Sequence, residues 1–200
     1  MTHFTTFSGN RINYQDIDPE QISVVDISHS LSQLCRFAGH TKYFYSVAQH
    51  CLNCMEVAKE VYGANIETQY WMLMHDAAEA YISDIPRGFK QYIDEIIEAE
   101  SMLQYQIMLS VLGLRQNIHF FKIFALNINE NITNEIDDRV LVTEAINLFN
   151  ANRAYMLDIE PIDGLIIEQR RMQDINVEFL RTANNLITQI KSKYEECFGE

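Results

Sequence analysis

The sequence predicts an all-α protein, and three observations lead to this prediction. Only 7 of the 200 residues are Gly and 3 are Pro, too few for the tight turns of a barrel or sandwich of short strands. Apolar residues recur at intervals of three and four along most of the chain, which is the helical period. Hydrophobic residues make up 48% and charged residues 22%, as in ordinary globular proteins. We therefore expect a single domain formed by a bundle of about seven helices.

The N-terminal part is predicted to be an extended arm followed by two helices. Residues 1–22 are mixed and polar, with turn signals at Gly9-Asn10 and Asp18-Pro19, and leave room for a short hairpin. A helix is expected to begin with Asp26 or Ser28 as its N-cap. After a loop over residues 36–41, helical spacing resumes over about residues 42–61 and ends at Gly63.

The remaining chain is predicted to be helical apart from short connections. Residues 67–81 are apolar nearly all round, which is typical of a buried central helix. A long amphipathic helix is expected over residues 92–112, another over 133–150, a connector over 157–164 and a last helix over 165–200. The pattern leaves the type of residues 116–126 open. Their aromatic residues Phe120, Phe121 and Phe124 either fill the core or cover a partner, and a homo-oligomer is expected.

Charge and hydropathy limit the kinds of binding partner and the cellular compartment that we expect. The formal net charge is −13, which argues against nucleic acid or an anionic membrane surface as the main partner. No apolar run reaches the roughly 18 residues that a membrane helix needs. The first four residues lack the basic and apolar segments of a signal peptide, so a cytoplasmic protein is expected. Four cysteines then fit reduced thiols, and Cys51-x-x-Cys54 follows the apolar pattern of its helix, which favours packing.

The most apolar helix carries three ionisable residues, His75, Asp76 and Glu79. Burying such groups is costly unless they are paired or bind a metal. On a helix His75 and Glu79 share one face, and imidazole and carboxylate are good ligands for divalent metals. The alternative is a histidine that is satisfied inside the core beside a capping Asp. The clustering favours a functional site.

Other candidate residues are ambiguous when each is taken alone. His50 at the edge of an apolar stripe fits a partly buried core histidine, and the acids 135–138 fit complementation of a helix dipole. Four basic residues flank these segments and provide counter-charges for a phosphate, although each alone fits ordinary surface. They are Arg36, Lys42, Arg87 and Lys90.

Taken in order, His50, His75-Asp76 and an Asp about sixty residues later resemble the HD-domain phosphohydrolase superfamily. The resemblance spans about residues 7–144 and is closest to bacterial 5′-deoxynucleotidases and phage deoxynucleoside triphosphohydrolases. The stretches that carry it are Asp26-Ile27-Ser28-His29-Ser30-Leu31-Ser32, Arg36-Phe37-Ala38-Gly39-His40-Thr41, Tyr45-Ser46-Val47-Ala48-Gln49-His50, His75-Asp76-Ala77-Ala78-Glu79-Ala80-Tyr81, Asp84-Ile85-Pro86-Arg87 and Thr143-Glu144.

The resemblance implies an all-α fold and a set of site residues. One divalent ion (Mn, Co, Fe, Ni, Zn or Mg) would be held by His50, His75, Asp76 and Asp137, with Asp138 as the alternative fourth ligand. Glu79 matches the proton-transfer group and Asp84 a second catalytic acid. Arg36 matches a phosphate contact, and Lys42, Arg87 and Lys90 would assist it. Where some members have a Trp after this Arg, the chain has Phe37.

The expected activity is therefore a metal-dependent phosphohydrolase acting on nucleotides, either a 5′-deoxynucleotidase or a deoxynucleoside triphosphohydrolase. Two alternatives remain at this point: a phosphodiesterase of a cyclic or oligonucleotide signal, and a non-catalytic nucleotide-binding protein.

Overall fold

A computed structural model describes residues 3–13, 16–113, 118–150 and 158–194, with the backbone alone for residues 118–121. The described residues are mostly helical with one small sheet, which confirms the all-α prediction. In chain order the elements are β1 (His3–Thr5), β2 (Arg11–Asn13), α1 (Val24–Gln33), α2 (Val47–Glu60), α3 (Ile66–Met74), α4 (Glu79–Ile82), α5 (Arg87–Lys90), α6 (Asp94–Leu112), α7 (Ile118–Leu126), α8 (Glu130–Leu148) and α9 (Met172–Lys193). Because α4 and α5 are single turns, the described helical segments outnumber the predicted ones.

The N-terminal arm is an antiparallel hairpin fastened to α1. β1 pairs with β2 with Phe4 opposite Ile12. The backbone N–H and the hydroxyl of Ser8 donate to the Asp26 carboxylate at 2.7 and 2.6 Å. The prediction that Asp26 or Ser28 caps α1 is wrong, because the cap is Ser23, whose hydroxyl accepts from Val25 N–H. Asp26 holds the hairpin instead.

The core forms where α1, α2, α3, α6 and α9 pack together. Its fully buried members include Leu31, Cys51, Leu73, Ile107 and Phe179. α2 begins at Val47 because Ser46 caps it, accepting from Gln49 N–H at 3.2 Å. This cap sets the helical phase that turns His50 inward.

The helix predicted over residues 67–81 is interrupted at the His-Asp pair. In an uninterrupted helix Ala78 N–H would donate to Met74 C=O. Instead the carboxamide of Gln104 on α6 stands between them, donating to Met74 O at 2.7 Å and accepting from Ala78 N–H at 3.0 Å. Insertion of a side chain into the backbone ladder breaks a helix without leaving buried groups unpaired. The break places His75 and Asp76 at the end of α3 rather than within a helix.

The C-terminal part differs from the prediction in two places. The last helix begins at Met172 rather than at residue 165. Carbonyls in the preceding connector accept from other elements, at 3.2 Å from Tyr43 Oη to Ile167 and at 2.9 Å from Gln49 Nε2 to Glu168, and are not available to a helix. Phe124 is fully buried against Tyr70, so it fills the core and does not cover a partner.

The side chains of Phe120 and Phe121, and residues 195–200 of the predicted last helix, lie outside the described residues. In the part of the chain that is described, no helix is long and apolar enough to cross a membrane.

Candidate metal centre

Two histidines and two carboxylates from three parts of the chain converge at one point. His50 comes from α2, His75 and Asp76 from the break after α3, and Asp137 from α8. His50 Nε2 lies 3.1 Å from Asp137 Oδ1, and His75 Nε2 lies 3.4 Å from Asp76 Oδ2; the two crossed distances are both 3.9 Å. Neighbouring ligand atoms about 2.0–2.2 Å from one ion lie about 2.8–3.1 Å apart in octahedral and about 3.3–3.6 Å apart in tetrahedral geometry. Each histidine Nε2 is therefore at or near ligand–ligand distance from both carboxylates.

The hydrogen bonds of His75 fix which of its ring nitrogens carries the proton. Nδ1 lies 2.8 Å from the carbonyl oxygen of Met72. A carbonyl only accepts, so Nδ1 donates and Nε2 presents its lone pair. This Nε2 is buried and has no hydrogen-bond partner among the described residues. An orphaned imidazole lone pair facing two carboxylates fits a divalent metal ion.

His50 is oriented in the same way by a carboxylate. Its Nδ1 donates to Glu144 Oε1 at 2.8 Å, which leaves Nε2 facing Asp137. Burial and Arg36 act to lower the pKa of His50, but the nearby Glu144 and Asp137 outweigh them and raise it. A metal ion at Nε2 would require that nitrogen to be deprotonated, so metal binding and protonation of His50 would compete.

Cys54 lies close to the same point, and the group His50, Cys54, His75 and Asp137 can hold a metal ion by distance alone. Its sulfur is 3.5 Å from His50 Nε2 and 3.8 Å from Nδ1. Since the two distances are similar, the sulfur is not directed at one ring nitrogen alone. Burial raises the pKa of Cys54 to about 11, so it carries a neutral thiol. The packing role predicted for this cysteine stays a prediction.

The two acids left as alternatives for the fourth ligand have different partners. Asp137 directs Oδ1 toward both histidines and accepts from Arg87 at 2.7 Å through Oδ2. Asp138 pairs with the other nitrogen of Arg87 at 2.8 Å. Burial acts to raise the pKa of Asp137, but the hydrogen bond from His50 and the nearby positive charges lower it. Asp137 is therefore the carboxylate placed for ligation.

The role of Glu144 was not predicted from the sequence, where the Thr143-Glu144 stretch helped only to identify Asp137 as the later Asp of the motif. Its buried carboxylate accepts from Arg36 Nε at 3.1 Å, from Tyr45 Oη at 2.9 Å and from His50 Nδ1. Burial acts to raise its pKa, but the charges of His50 and Arg36 lower it. An acid following Val140-Leu141-Val142-Thr143 in a helix was the available signal, because an acid on an apolar face needs partners.

A strained turn places Arg36 beside this carboxylate. Phe37 and Ala38 adopt φ of 55° and 49°, a left-handed conformation that non-glycine residues seldom adopt. The Phe37 ring packs edge-on against Phe149 at 5.0 Å, and Arg36 N–H donates to Tyr45 O at 2.9 Å. Such strain persists only where its surroundings hold it, and it is frequent at functional sites.

A cavity of about 520 Å³ opens beside the predicted metal ligands His50, His75, Asp76 and Asp137. Its walls contain the predicted ligands Asp76 and Asp137 and most of the other predicted site residues: Arg36, Glu79, Asp84, Arg87 and Lys90. The ammonium of Lys90 pairs with Glu100 at 2.7 Å. Arginine and lysine beside carboxylates in one cavity suit an anionic ligand held next to a cation.

The two predicted catalytic acids have raised pKa values. Burial, reinforced by Asp76 and Asp84, raises the pKa of Glu79 to about 10. Its Oε2 is buried and lacks a hydrogen-bond partner among the described residues. Burial likewise raises the pKa of Asp84, against the opposing charge of Arg36. Glu79 therefore holds a proton at neutral pH in the metal-free protein.

Lys42 is not brought to the site. Its ammonium donates to the Asn147 carbonyl at 2.9 Å and its backbone N–H to Leu148 O at 2.8 Å, and it does not line the cavity beside the metal-ligating group. Lys42 satisfies carbonyls at the end of α8, where unpaired C=O groups attract a cation.

Comparison with known proteins gives relatives but no function. The chain is 40% identical over 103 residues to the uncharacterized protein YfdR of Escherichia coli K12, covering 52% of this chain and 54% of that protein. It is 36% identical over 81 residues to the uncharacterized protein RCAP_rcc00048 of Rhodobacter capsulatus, covering 39% and 41%. The chain thus spans about half the length of the curated relatives it matches. No family model matches the chain, so membership of the HD-domain superfamily remains a prediction.

Proposed function

We propose that the chain is a metal-dependent phosphohydrolase of the HD-domain kind that removes phosphate from nucleotides, deoxynucleotides in particular. The observation that carries the proposal is one juxtaposition. Two imidazoles whose Nε2 atoms lie 3.1–3.9 Å from two carboxylates adjoin a cavity with arginine and lysine in its walls. A phosphate ester or anhydride is the substrate class that uses both parts, because hydrolysis needs an activated water and neutralisation of the phosphoryl charge.

His50, His75, Asp76 and Asp137 would hold the ion. A divalent ion bound there would supply Lewis-acid activation of water and of a phosphoryl oxygen, and would lower the pKa of nearby acids. The chain contributes the orientation: Met72 C=O and Glu144 keep both Nδ1 positions protonated, so both Nε2 atoms face the same point.

Arg36 is the residue best placed to neutralise a phosphoryl group. It is buried and charged: burial acts to lower its pKa, but Glu144, Asp76 and Asp137 raise it further above neutrality. Its Nε bond to Glu144 fixes the guanidinium beside the cavity before a substrate arrives. A charge held in place in this way needs little reorganisation in the transition state.

Arg87 would act as a second cation that can change its partners. Its side chain is 67% exposed, and its partners are Asp137 and Asp138. An exposed ion pair is weak enough to be exchanged for a phosphate oxygen.

Glu79 would hold and move a proton at Oε2. The carboxyl group is protonated at neutral pH in the metal-free protein. With its pKa lowered by a bound ion, it would take a proton from the attacking water and pass it to the leaving-group oxygen. Asp84 shares the cavity wall, and its negative charge would help to keep Glu79 protonated.

The test is a screen of purified protein loaded with Mn, Co or Mg against deoxy- and ribonucleotide mono- and triphosphates, with products separated by chromatography. Asp76→Asn is the blank. Arg36→Lys should lose most activity because Lys cannot bind Glu144 and a phosphate in the same fork-like geometry. Lys42→Met is the matched control and should keep wild-type kcat/KM.

Each product pattern has a distinct meaning. Nucleoside plus phosphate from monophosphates would identify a nucleotidase, and release of triphosphate would identify a triphosphohydrolase. Metal binding without turnover of any mononucleotide would overturn the proposal, and cyclic and oligonucleotide substrates would be tried next.

A further inference from the structure

The metal centre contains a thiol that the predicted ligand set does not use. Cys54 follows His50 by one helical turn on α2 and is fully buried. Four donor atoms lie within 4.8 Å of one another, and they belong to His50, Cys54, His75 and Asp137. Asp76, the remaining predicted ligand, is not a member of this group. By distance, the donors that surround one point are therefore two imidazoles, one carboxylate and one thiol.

The separations between these donors are close to those around a four-coordinate ion. A sulfur about 2.3 Å and a nitrogen about 2.0–2.1 Å from one tetrahedral ion lie about 3.5 Å apart. Cys54 Sγ lies 3.5 Å from His50 Nε2. Asp137 Oδ1 lies 3.1 Å from His50 Nε2 and 3.9 Å from His75 Nε2, on either side of the tetrahedral value. The sulfur also lies 3.8 Å from His50 Nδ1, so ligation requires the thiol to turn toward the Nε2 lone pair.

A bare ion can reach these donors although water does not. His50 and Cys54 are fully buried, and Nε2 of His75 is buried without a hydrogen-bond partner among the described residues. An ion lies about 2.0–2.3 Å from its ligands, whereas a water oxygen needs about 2.8 Å. Donors that lie together can therefore enclose an ion where no water fits. Asp137 belongs both to this group and to the wall of the cavity of about 520 Å³, which provides a path of entry.

His75 lies between a hard donor and a soft donor. On one side Asp76 Oδ2 is 3.4 Å from its Nε2, and the same oxygen is 3.5 Å from Arg36 Nη1. On the other side is the Cys54 thiol. Carboxylate and water ligands suit Mg²⁺ and Mn²⁺, whereas thiolate suits Zn²⁺ and similar thiophilic ions. The donors within reach therefore make the ligand set depend on the ion.

We propose that Cys54 ligates a thiophilic divalent ion such as Zn²⁺ together with His50, His75 and Asp137, and that this thiolate increases the preference of the site for such ions over Mg²⁺ and Mn²⁺. The thiol loses its proton to solvent on binding, because the thiolate is the ligand. The inference rests on the metal centre of the proposed function and not on the hydrolysis of nucleotides. It can therefore be confirmed even if the protein hydrolyses no nucleotide.

The first test is the absorption spectrum of the metal-free full chain titrated with Co²⁺ under reducing, anaerobic conditions. A thiolate ligand gives a near-ultraviolet sulfur-to-cobalt charge-transfer band, which nitrogen and oxygen ligands do not give. We expect this band to saturate and to disappear when excess Zn²⁺ displaces the Co²⁺. Saturable Co²⁺ binding without the band would overturn the proposal and leave the predicted metal centre intact. Absence of saturable Co²⁺ binding would overturn both.

Two serine variants on α2 identify the sulfur. Cys54→Ser should abolish the band and weaken Zn²⁺ binding at least about tenfold, while Mn²⁺ binding changes less than about threefold because Mn²⁺ suits oxygen ligands. Cys51→Ser is the matched control and should keep the band. Its thiol is equally buried on the same helix but belongs to a different group of donors, with His75 and Asp76.

Circular dichroism reports whether each buried substitution leaves the fold intact. If Cys54→Ser does not fold, Cys54→Ala, which keeps an apolar side chain at this position, replaces it. Loss of the band in Cys51→Ser but not in the Cys54 variant would overturn the proposal. Equal weakening of Zn²⁺ and Mn²⁺ binding by the Cys54 variant would also overturn it, because a merely structural role for the thiol predicts that result.

Discussion

Substitution of Glu144 by Gln tests the idea that this buried carboxylate organises the metal centre. The side chain keeps its size and loses its charge. In the wild type, Oε1 accepts from Tyr45 Oη and His50 Nδ1, while Oε2 accepts from Arg36 Nε. A carboxamide has one acceptor and one donor end, so it cannot replace both oxygens.

Both orientations of the introduced carboxamide sacrifice a contact. If its NH₂ faces Arg36, two donors meet and a buried guanidinium loses its nearest counter-charge, leaving Asp76 at 3.5 Å. If its NH₂ faces His50, the ring must move its proton to Nε2 and ceases to be a ligand. A buried group left unpaired costs about 1–3 kcal/mol, and breaking a buried ion pair about 3–5 kcal/mol. Because Asp76 still compensates Arg36 in part, we expect the free energy of unfolding to fall by about 2–4 kcal/mol.

The metal affinity should fall about 10–100-fold, as for other partners that orient a metal-binding histidine. Urea unfolding of metal-free protein measures the first effect, and competition with a chelator measures the second. Glu135→Gln on the same helix is the control, since its side chain is 53% exposed and surface changes usually cost less than about 0.5 kcal/mol. Equal results for the two variants would show that Glu144 does not organise the site.

Two further predictions concern the acids of the site. In Glu79→Gln, the free energy of unfolding of metal-free protein should rise by about 1–3 kcal/mol at pH 8, and the gain should vanish toward pH 5. The sign follows because the Glu79 carboxyl, with a folded pKa of about 10, keeps a proton that the unfolded chain has released above about pH 4.5. Folding of the wild type must therefore take up that proton, whereas folding of the Gln variant does not. Urea titrations at several pH values would contradict this if the gain did not grow with pH. Asp137→Asn should weaken metal binding at least about tenfold, while Asp138→Asn should change it less than about threefold. The reason is that Asp138 contacts Arg87 and not a histidine. Chelator competition measures both affinities, and the reverse order would show that Asp138 is the ligand.

The sequence anticipates most of the candidate site because its residues carry local signals. His75-Asp76 stands out in an apolar helix, and His50 belongs to an ordered set of motifs. Helical periodicity turns these residues inward, so a correct helix assignment already places them in the interior. The order of the motifs then predicts Arg36, Glu79 and Arg87, and it leads to Asp137 and Asp138 as the later acids.

The geometry at the His-Asp pair could not be predicted, since it depends on a residue far away in the chain. Gln104 lies in a stretch with the sequence pattern of an ordinary amphipathic helix, and nothing near it identifies Met74 and Ala78 as its partners. Only the packing of α6 beside α3 places a carboxamide where a helical hydrogen bond would otherwise form. The predicted start of α9 is wrong for a similar reason, because Tyr43 and Gln49 bind the carbonyls that a helix would need.

Groups outside the His…His-Asp motif set the tautomers of both predicted histidine ligands, one group distant in sequence and one close to its histidine. A histidine ligates a metal through the ring nitrogen that lacks a proton. For His50, the hydrogen bond from Nδ1 to Glu144, 94 residues later, determines which nitrogen that is. For His75, the hydrogen bond from Nδ1 to the Met72 carbonyl does so, next to the place where Gln104 enters the helix. A ligand set can therefore be proposed from the sequence, whereas the histidine tautomers are properties of the folded chain. Substitutions at Glu144 or Gln104 should disturb metal binding while every proposed ligand remains present.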